Sequence, residues 1–500
     1  MEEFFIALFQ PKASTIWVEG WPILMSTHHF DYRNWIMEQN TPCGRVSRVD
    51  DNHFEIVTAY ALAQIQFYQV ENEPEIIEFR IERVKDGEVV FFLHFHADPE
   101  AHSKALFAEM VEVLKETGKH HETRILLCCT AGLTTSYFAM GLNEAAHALK
   151  LDWTFEAVSV SDVYARGMQF DCVLVAPQIG FQQKKIADVL KDIPVLTIPA
   201  QVFGAYDAGA CITFVQEGIK QFHASLEERA RRHILHHSDN DHVILSIAVL
   251  PDVRRTLIRS RLYDHGRVTD SSEAIKPVFY LEDLFDVIET SLCPSEGIKP
   301  EMIGIAIPGI IHGGTMDLPP SNSIDLTKYG NHFAIEQFFR DRYHLPVYIF
   351  NNVNAAALGW YSAQDTYQNI VFHSQPYGWK MGGEGIIVNG RLLSGKNSSA
   401  GEVKYIVPLF SGLDDVGSSV CTPDQMVRVV ARDIVGAVTY LDPQVVCLRS
   451  DMTPYPEEIR KELEKFLPES HIPQLIKIEN MDEFVMLGTM ILCLLQQTEA

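Results

Sequence analysis

Basic side chains are scarce in this chain: 41 lysines and arginines stand against 66 aspartates and glutamates, a formal charge of −25 at pH 7. Such a field repels phosphate backbones, so binding nucleic acid through the general surface is disfavoured and only a local basic patch could offer it a route. Long apolar runs are missing too. No uninterrupted stretch reaches the roughly 20 residues that cross a bilayer, and the opening MEEFFIALFQPKAST carries acids where a secretion signal needs bases. These absences predict a soluble, cytoplasmic protein. Paired cysteine spacing is also lacking. Of nine cysteines, Cys43, Cys172, Cys211, Cys293, Cys421, Cys447 and Cys493 stand alone, the pattern of small buried apolar residues. Cys128 and Cys129 are adjacent, and only they border a loop with chemistry around it.

What is present suits several ordinary cores. Five hundred residues exceed what one core organises, and 47% of them are apolar. The composition and pattern predict a multidomain α/β chain in three blocks. Residues 1–118 hold four strand-like runs, FEIVTAYA, AQIQFYQV, EIIEFRIERV and EVVFFLHFHA. A helix follows in DPEAHSKALFAEMVEVLKETG, with Asp98 as cap, Pro99 in the first turn and Gly118 as stop. This is an α+β domain of unknown role.

Residues 119–222 alternate strand and helix. RILLCC, TFEAVSV, DCVLVAP and IPVLTIPA read as strands, and SYFAMGLNEAAHALKL and FQQKKIADVLKD as helices. Such alternation predicts a four-stranded parallel sheet covered on both faces. A polar stretch, 223–241, reads as a helix running into a linker. Residues 242–500 are again α/β, with IGIAIPGII and GEGIIVNGRLL as the clearest strands.

The loop CTAGLTTS leaves the first strand of the second block and opens its first helix. Open α/β sheets place ligands above the carboxyl ends of their strands, and a helix start favours negative charge. Ala131 and Gly132 let main-chain amides turn inward. Thr130, Thr134, Thr135 and Ser136 add hydroxyls, with Leu133 among them. The same field favours a thiolate at Cys129, a nucleophile able to hold a phosphoryl group. The competing possibility is a buried cysteine before an ordinary β–α turn, and the loop alone leaves the two even.

The run ILLCCTAGLTTS resembles the phosphocysteine loop of the lactose/cellobiose class of phosphotransferase-system IIB proteins. Further segments agree in order: VLVAPQIGF (Val173 to Phe181) with the third strand, and IPVLTIPAQVFGAYDAG (Ile193 to Gly209) with the fourth strand and its loop. The resemblance implies that Cys129 is the phosphate acceptor and that Cys128, the last strand residue, points into the sheet. It implies a phosphohistidine donor on a IIA protein and, in transporters, a membrane IIC partner that delivers the sugar. It calls for no cofactor and no metal.

The third block resembles the ROK family of sugar kinases and sugar-responsive repressors, which share an actin-like (ribonuclease H-like) fold. The carrying segments are IGIAIPGII, FNNVNAAALGWY, GGEGIIVNGRLLSGKNSSAGEVKYI and LDPQVVCL. Where the family's kinases have an aspartate as general base, this chain has Asn352, whose neutral amide accepts no proton. The phosphate-binding turn is missing from VILSIAVLPDVRRT, and Arg449 and Ser450 replace a Gly-Gly pair. Tyr405 occupies a zinc-ligand histidine position, with only Cys421 nearby, so the family's zinc site is not expected. Asn322 and Glu402 match positions that contact sugar, although Asn322 also suits a plain turn. The resemblance thus implies a degenerate ROK-like module that binds a sugar or serves as a scaffold, with sugar kinase activity not expected. The winged helix of ROK repressors is not expected in the strand-rich first block.

Two weaker patterns remain. Alternation puts His94 and His96 on one strand face near His102, and a hydrogen-bonded pair is the ordinary outcome there. Arg229, Arg231, Arg232, His233, His236 and His237 form a basic run that suits a solvated helix face or an acidic partner. The expected function is a IIB-type phosphoryl carrier in sugar uptake or its regulation. The alternative is a non-catalytic sugar-sensing regulator.

Overall fold

The computed structural model describes residues 16–18, 21–23, 30–69, 75–84, 87–97, 99–117, 123–130, 133–191, 193–229, 240–252, 255–292, 298–317, 324–330, 332–376, 382–405 and 422–499. Asp98, Gly118, Ala131, Gly132, Arg231, Arg232, His233, His236, His237, Asn322, Cys293 and Cys421 therefore lie outside the described residues.

The four strands expected in the first block form as His53–Val57, Ala61–Tyr68, Ile76–Arg83 and Val89–His96. Their strict alternation of buried and half-exposed residues sends Phe54, Ile65, Phe79 and Phe95 to one face. The helix Glu100–Thr117 covers that face with Leu106, Phe107, Met110 and Leu114.

These strands do not close a sheet of their own. Val89–His96 pairs antiparallel with Arg267–Lys276, Ile275 standing opposite Phe92. One ten-stranded sheet results among the described residues, running from Val347–Asn351 through Met302–Ile307, Val243–Pro251, Thr256–Asp264 and Arg267–Lys276 into the first block. Its core is shared, with Phe95 and Met110 in the same apolar cluster as Ile247, Phe279 and Ile305.

The five strands from Val243 to Asn351 make an antiparallel three-stranded meander, with Met302–Ile307 added in parallel beside its first strand and Val347–Asn351 in parallel beyond that. The same order recurs later in the chain. Ile370–Gln375, Gly383–Val388 and Arg391–Leu392 form a meander, while Val445–Ser450 and Gln474–Lys477 add in parallel beside its first strand. Two such lobes in tandem constitute the ribonuclease H-like, actin-like architecture. Between them pass the helices Asn352–Ser362 and Met481–Glu499. Glycines set their approach: a Cβ on Gly488 would lie 1.8 Å from the Ala355 carbonyl oxygen, and one on Gly359 2.0 Å from that of Phe484.

The second block is a separate four-stranded parallel sheet in the order Trp153–Ser159, Thr123–Cys129, Cys172–Val175, Val195–Thr197. Its central strands are buried end to end, as expected for a sheet covered on both faces. The helix Leu133–Ala148 starts three residues before the serine where sequence reasoning opened it. FQQKKIADVLKD, expected as one helix, begins in a 3-10 stretch, Pro177–Gln182, because Pro177 and the non-helical Ile179 delay regular bonding until Gln183–Val189.

This sheet does not hang from a tether. Its apolar cluster continues into the second lobe through Met426, Val430, Ile459 and Leu463. Lys185 pairs with Asp424 at 3.2 Å and Glu458 at 3.0 Å, Lys191 pairs with Asp451 at 3.0 Å, and the Tyr455 hydroxyl donates to Asp188 at 2.6 Å.

Candidate functional site

Cys129 closes the strand Thr123–Cys129, second in the four-stranded sheet and flanked on both sides by parallel strands. Its carbonyl accepts from Val160 N, and that of Cys128 from Ala176 N, both at 2.9 Å, so neighbouring strands on each side fix the carboxyl end of this strand. Alternation then separates the two sulfurs. Cys128 is fully buried in the sheet, although the strand runs one residue beyond it to Cys129 instead of ending there as expected, and burial pushes its thiol up to about 12. It stays protonated at neutral pH. Cys129 is 7% exposed, and its Sγ lies 2.9 Å from Thr135 Oγ1, where either atom can donate.

Thr135 is fully buried in the first turn of the helix Leu133–Ala148, while Thr130 and Ser136 are exposed. The side chains of Leu133 and Thr134 fall outside the described residues. Thr135 is thus the loop hydroxyl shown in contact with the sulfur.

Large apolar side chains are exposed on segments that follow the strands of this sheet: Tyr137 is 67% exposed, Met140 63% and Phe181 81%, and Tyr137 packs edge-on against Tyr206 at 5.5 Å.

In the actin-like pair of lobes, Asn352 begins the helix Asn352–Ser362 and is half-buried. The preceding Asn351 caps that helix by accepting from Val353 N and Asn354 N, and it donates to the Gly309 carbonyl at 2.8 Å. Position 352 therefore sits where a strand of the first lobe turns into the inter-lobe helix, with an amide in place of a carboxylate. His312 of the first lobe and Ser398 of the second face one another at 3.3 Å. Glu402 is half-buried just after Gly401, whose positive φ and 1.9 Å Cβ approach to the Glu384 carbonyl oxygen require glycine. Tyr405 is 62% exposed, and Ser450 is buried beside Arg449.

Sequence reasoning missed one polar cluster. His373 and Glu384 face each other across paired strands, Nδ1 to Oε1 3.5 Å, both buried, and Asp433 approaches from the helix Pro423–Leu441. Neither nitrogen of His373 and neither oxygen of Asp433 has a hydrogen-bond partner among the described residues. Burial raises the Asp433 carboxyl to about 7 and the Glu384 carboxyl above its ordinary value; His373, held by Glu384 and Asp433 against burial, is raised too. A histidine inside the apolar strand IVFHSQ was the one visible signal, but its partners lie 11 and 60 residues away in the chain.

The three histidines singled out in the first block are engaged. His94 meets Glu78 at 2.7 Å, His96 meets the Glu289 carbonyl at 3.1 Å, and His102 meets Asp286 at 2.6 Å. Among the described residues no group of three His, Cys, Asp or Glu side chains is placed to hold a metal ion, and no helix is long and apolar enough to cross a membrane.

The comparisons agree with this architecture. Residues 124–212 match the family model "PTS system, Lactose/Cellobiose specific IIB subunit", and residues 280–414 match the ROK family. The chain therefore carries a lactose/cellobiose-class IIB domain and a ROK-family domain in one polypeptide. A xylose repressor of Caldicellulosiruptor bescii is 34% identical over 141 residues, which is 27% of this chain and 33% of that protein. A glucokinase of Halalkalibacterium halodurans is 30% identical over 134 residues, 26% of this chain and 38% of that one. The chain thus spans only about a third of the curated relatives it matches. Among solved structures, the cellobiose-specific IIB component of Borrelia burgdorferi aligns at 28% identity over 20% of this chain and 93% of its own, TM-score 0.18. The ROK hexokinase of Thermus thermophilus aligns at 18% identity over 52% of this chain and 100% of its own, TM-score 0.41.

Proposed function

We propose that Cys129 accepts a phosphoryl group from a phosphohistidine on a IIA-type protein and that the ROK-family domain reads a sugar. The observation that carries this is the Cys129 sulfur at a parallel-strand end, 2.9 Å from Thr135 at a helix start, within the IIB-matched segment. In the transfer the sulfur attacks phosphorus, an S–P bond forms and the N–P bond to histidine breaks. The thiol proton leaves to the freed imidazole. The helix start and the Thr135 hydroxyl favour the charge that gathers on the phosphoryl oxygens. The exposed Tyr137 side chain, one residue from Ser136 at the same helix start, suits contact with the donor protein.

The sugar-reading half rests on the ROK match, on Glu402 and Asn322 as pocket residues, and on the amide at Asn352, which leaves binding possible while removing the base. In this reading 119–222 is the carrier unit, 223–241 the linker and 242–500 the sugar-reading unit, while the strands of 1–118, expected as a unit of their own, share a sheet and core with 242–500. A membrane IIC transporter is a further partner if the phosphate passes to sugar, and nucleic acid is not a partner in this reading. All of these functions would take place in the cytoplasm.

The test is incubation of the full chain with a phosphorylated IIA donor, followed by mass spectrometry. Label on Cys129, lost in Cys129→Ser and kept in Cys128→Ser, is the expected result. An unlabelled wild-type chain, or equal labelling of Cys129→Ser, overturns the carrier role.

The second reading, a sugar-sensing regulator without phosphotransfer, is favoured by the same Asn352. Calorimetry with mono- and disaccharides on an unphosphorylated chain decides it, because heat of binding in a chain that takes no phosphate supports that reading alone.

A further inference from the structure

Besides Thr135, a second polar group is fixed to the end of the Cys129 strand, and it comes from the neighbouring strand. Trp153–Ser159 runs parallel to Thr123–Cys129, with Ser159 directly opposite Cys129. Residues paired in this way project from the same face of a sheet, on strands about 4.8 Å apart. Ser159 therefore shares a face with the nucleophile.

The chain turns at once after Ser159. Val160 N donates to the Cys129 carbonyl at 2.9 Å, and Asp162 N donates to the Ser159 carbonyl at 3.1 Å, so the turn 159–162 is fastened to the strand end. Within it the Ser159 hydroxyl donates to Asp162 Oδ2 at 2.7 Å, and Ser161 Oγ lies 2.6 Å from Ser159 Oγ. With its own proton given to the carboxylate, Ser159 accepts from Ser161.

Asp162 is the unexpected member. It stands at the N-cap position of the short helix Val163–Arg166, where an aspartate ordinarily accepts from the first free amides, yet its side chain makes no capping bond. The carboxylate is exposed and turned to Ser159 instead. No lysine, arginine or histidine among the described residues pairs with it. Arg166, the closest cation along the chain, is held by Glu156, which also holds Arg124, and Tyr164 of the same helix is buried. A negative charge fixed so near a site for a phosphoryl group is unfavourable unless the donor brings positive charge to meet it. A protonated phosphohistidine ring does so.

We propose that Asp162, aimed by Ser159, accepts a hydrogen bond from the charged imidazole ring of the phosphohistidine donor and so speeds transfer to Cys129; this rests on the phosphoryl-carrier reading. The charged ring holds phosphorus on one nitrogen and a proton on the other. A carboxylate facing that N–H favours the charged form, from which the ring departs more readily. The sulfur attacks phosphorus, the S–P bond forms and the N–P bond breaks, its electron pair staying on the ring nitrogen. That nitrogen takes the thiol proton, and the imidazolium so formed keeps its other N–H on Asp162 until the proteins part. Ser159 acts through Asp162 and is a positioning residue.

The test measures the initial rate of Cys129 labelling in the full chain by a phosphorylated IIA donor at about pH 6 and about pH 8. At the lower pH water itself protonates the donor ring; at the higher pH the ring depends on the carboxylate. Asp162 is exposed and caps nothing, so Asp162→Asn is expected to fold. It should slow labelling by about tenfold or more at the higher pH and by much less at the lower. Ser159→Ala keeps the carboxylate but frees it from its anchor, and should slow labelling by about threefold at the higher pH. An Asp162→Asn chain labelled at the wild-type rate, one slowed equally at both pH values, or a Ser159→Ala chain slowed more than Asp162→Asn overturns this proposal and leaves the carrier reading standing. A wild-type chain that takes no label overturns the carrier reading, and this proposal with it.

Discussion

At the scale of single residues the decisive contrast is between two adjacent cysteines. Strand alternation sends Cys128 wholly into the sheet, where burial keeps it a thiol, and leaves Cys129, buried but 7% exposed, at the strand end beside a hydroxyl. Iodoacetamide at neutral pH should therefore alkylate Cys129 in the folded chain and spare Cys128, as peptide mapping would show. Modification of Cys128 first would contradict the burial argument. Thr135→Val keeps the shape of its side chain but removes a hydroxyl in contact with the sulfur. Phosphorylation of Cys129 by the donor should slow about tenfold, the value of one hydrogen bond to a charged group, in stopped-time assays; an unchanged rate would leave Thr135 a purely structural residue. Cys129 itself was legible in the sequence, because a cysteine before a small, hydroxyl-rich turn is a local pattern. The contact with Thr135 was not. Four hydroxyls and two main-chain amides flanked the sulfur in the sequence, and the first turn of the helix is what brings the Thr135 hydroxyl to it.

At the scale of secondary-structure elements, the cluster of His373, Glu384 and Asp433 ties two strands to a helix and should make the second lobe sensitive to pH. Asp433 and Glu384 have raised carboxyls, so the folded state keeps protons that the unfolded chain releases above its ordinary carboxylate value of about 4. Their contribution falls as pH climbs from there to the Asp433 value of about 7. His373 is raised as well, so its contribution is full below its ordinary 6.5 and is lost as pH rises through the folded value. Both act in one direction. Thermal unfolding should show a higher midpoint at about pH 6 than at about pH 8, and Asp433→Asn should shrink that difference. A pH-independent midpoint would mean that the cluster is solvated or otherwise neutralised. The helix crossing makes a second prediction at this scale. Gly488→Ala drives a methyl group into the Ala355 carbonyl and should destabilise the fold by about 3 kcal/mol or more, measured by urea denaturation. A loss under about 0.5 kcal/mol would show that the helices can part freely.

For the whole molecule, the arrangement of the blocks sets what the second block can report. Its sheet is seated on the second lobe by a continuous apolar cluster and by Lys185 and Lys191. Reversing both lysines to glutamate would place like charges against Asp424, Glu458 and Asp451. The domain should then loosen, and hydrogen exchange at Gln183–Val189 and Pro456–Leu463 should rise together. Exchange rising in one helix alone would show that the two do not move as a joint. The parallel sheet of the second block could be drawn from the chain in advance, since both-face burial leaves an apolar run that only a covered strand explains. The strands of the first block were equally plain, yet their place was not. Ile275 opposite Phe92 joins two segments 183 positions apart, and an edge strand offers the same amides and carbonyls to any partner.

What the chain by itself determined is therefore what local chemistry encodes: the alternation that makes strands, the cysteine at the end of an apolar strand before a hydroxyl-rich turn, and an amide rather than a carboxylate at position 352. Only the tertiary structure decided the fused ten-stranded sheet, the seat of the second block on the second lobe and the buried acid–histidine cluster. Each of those depends on which distant groups are brought into one low-dielectric space. Charge and hydrogen-bonding energies there are set by neighbours in three dimensions, and a linear pattern carries no distance between them.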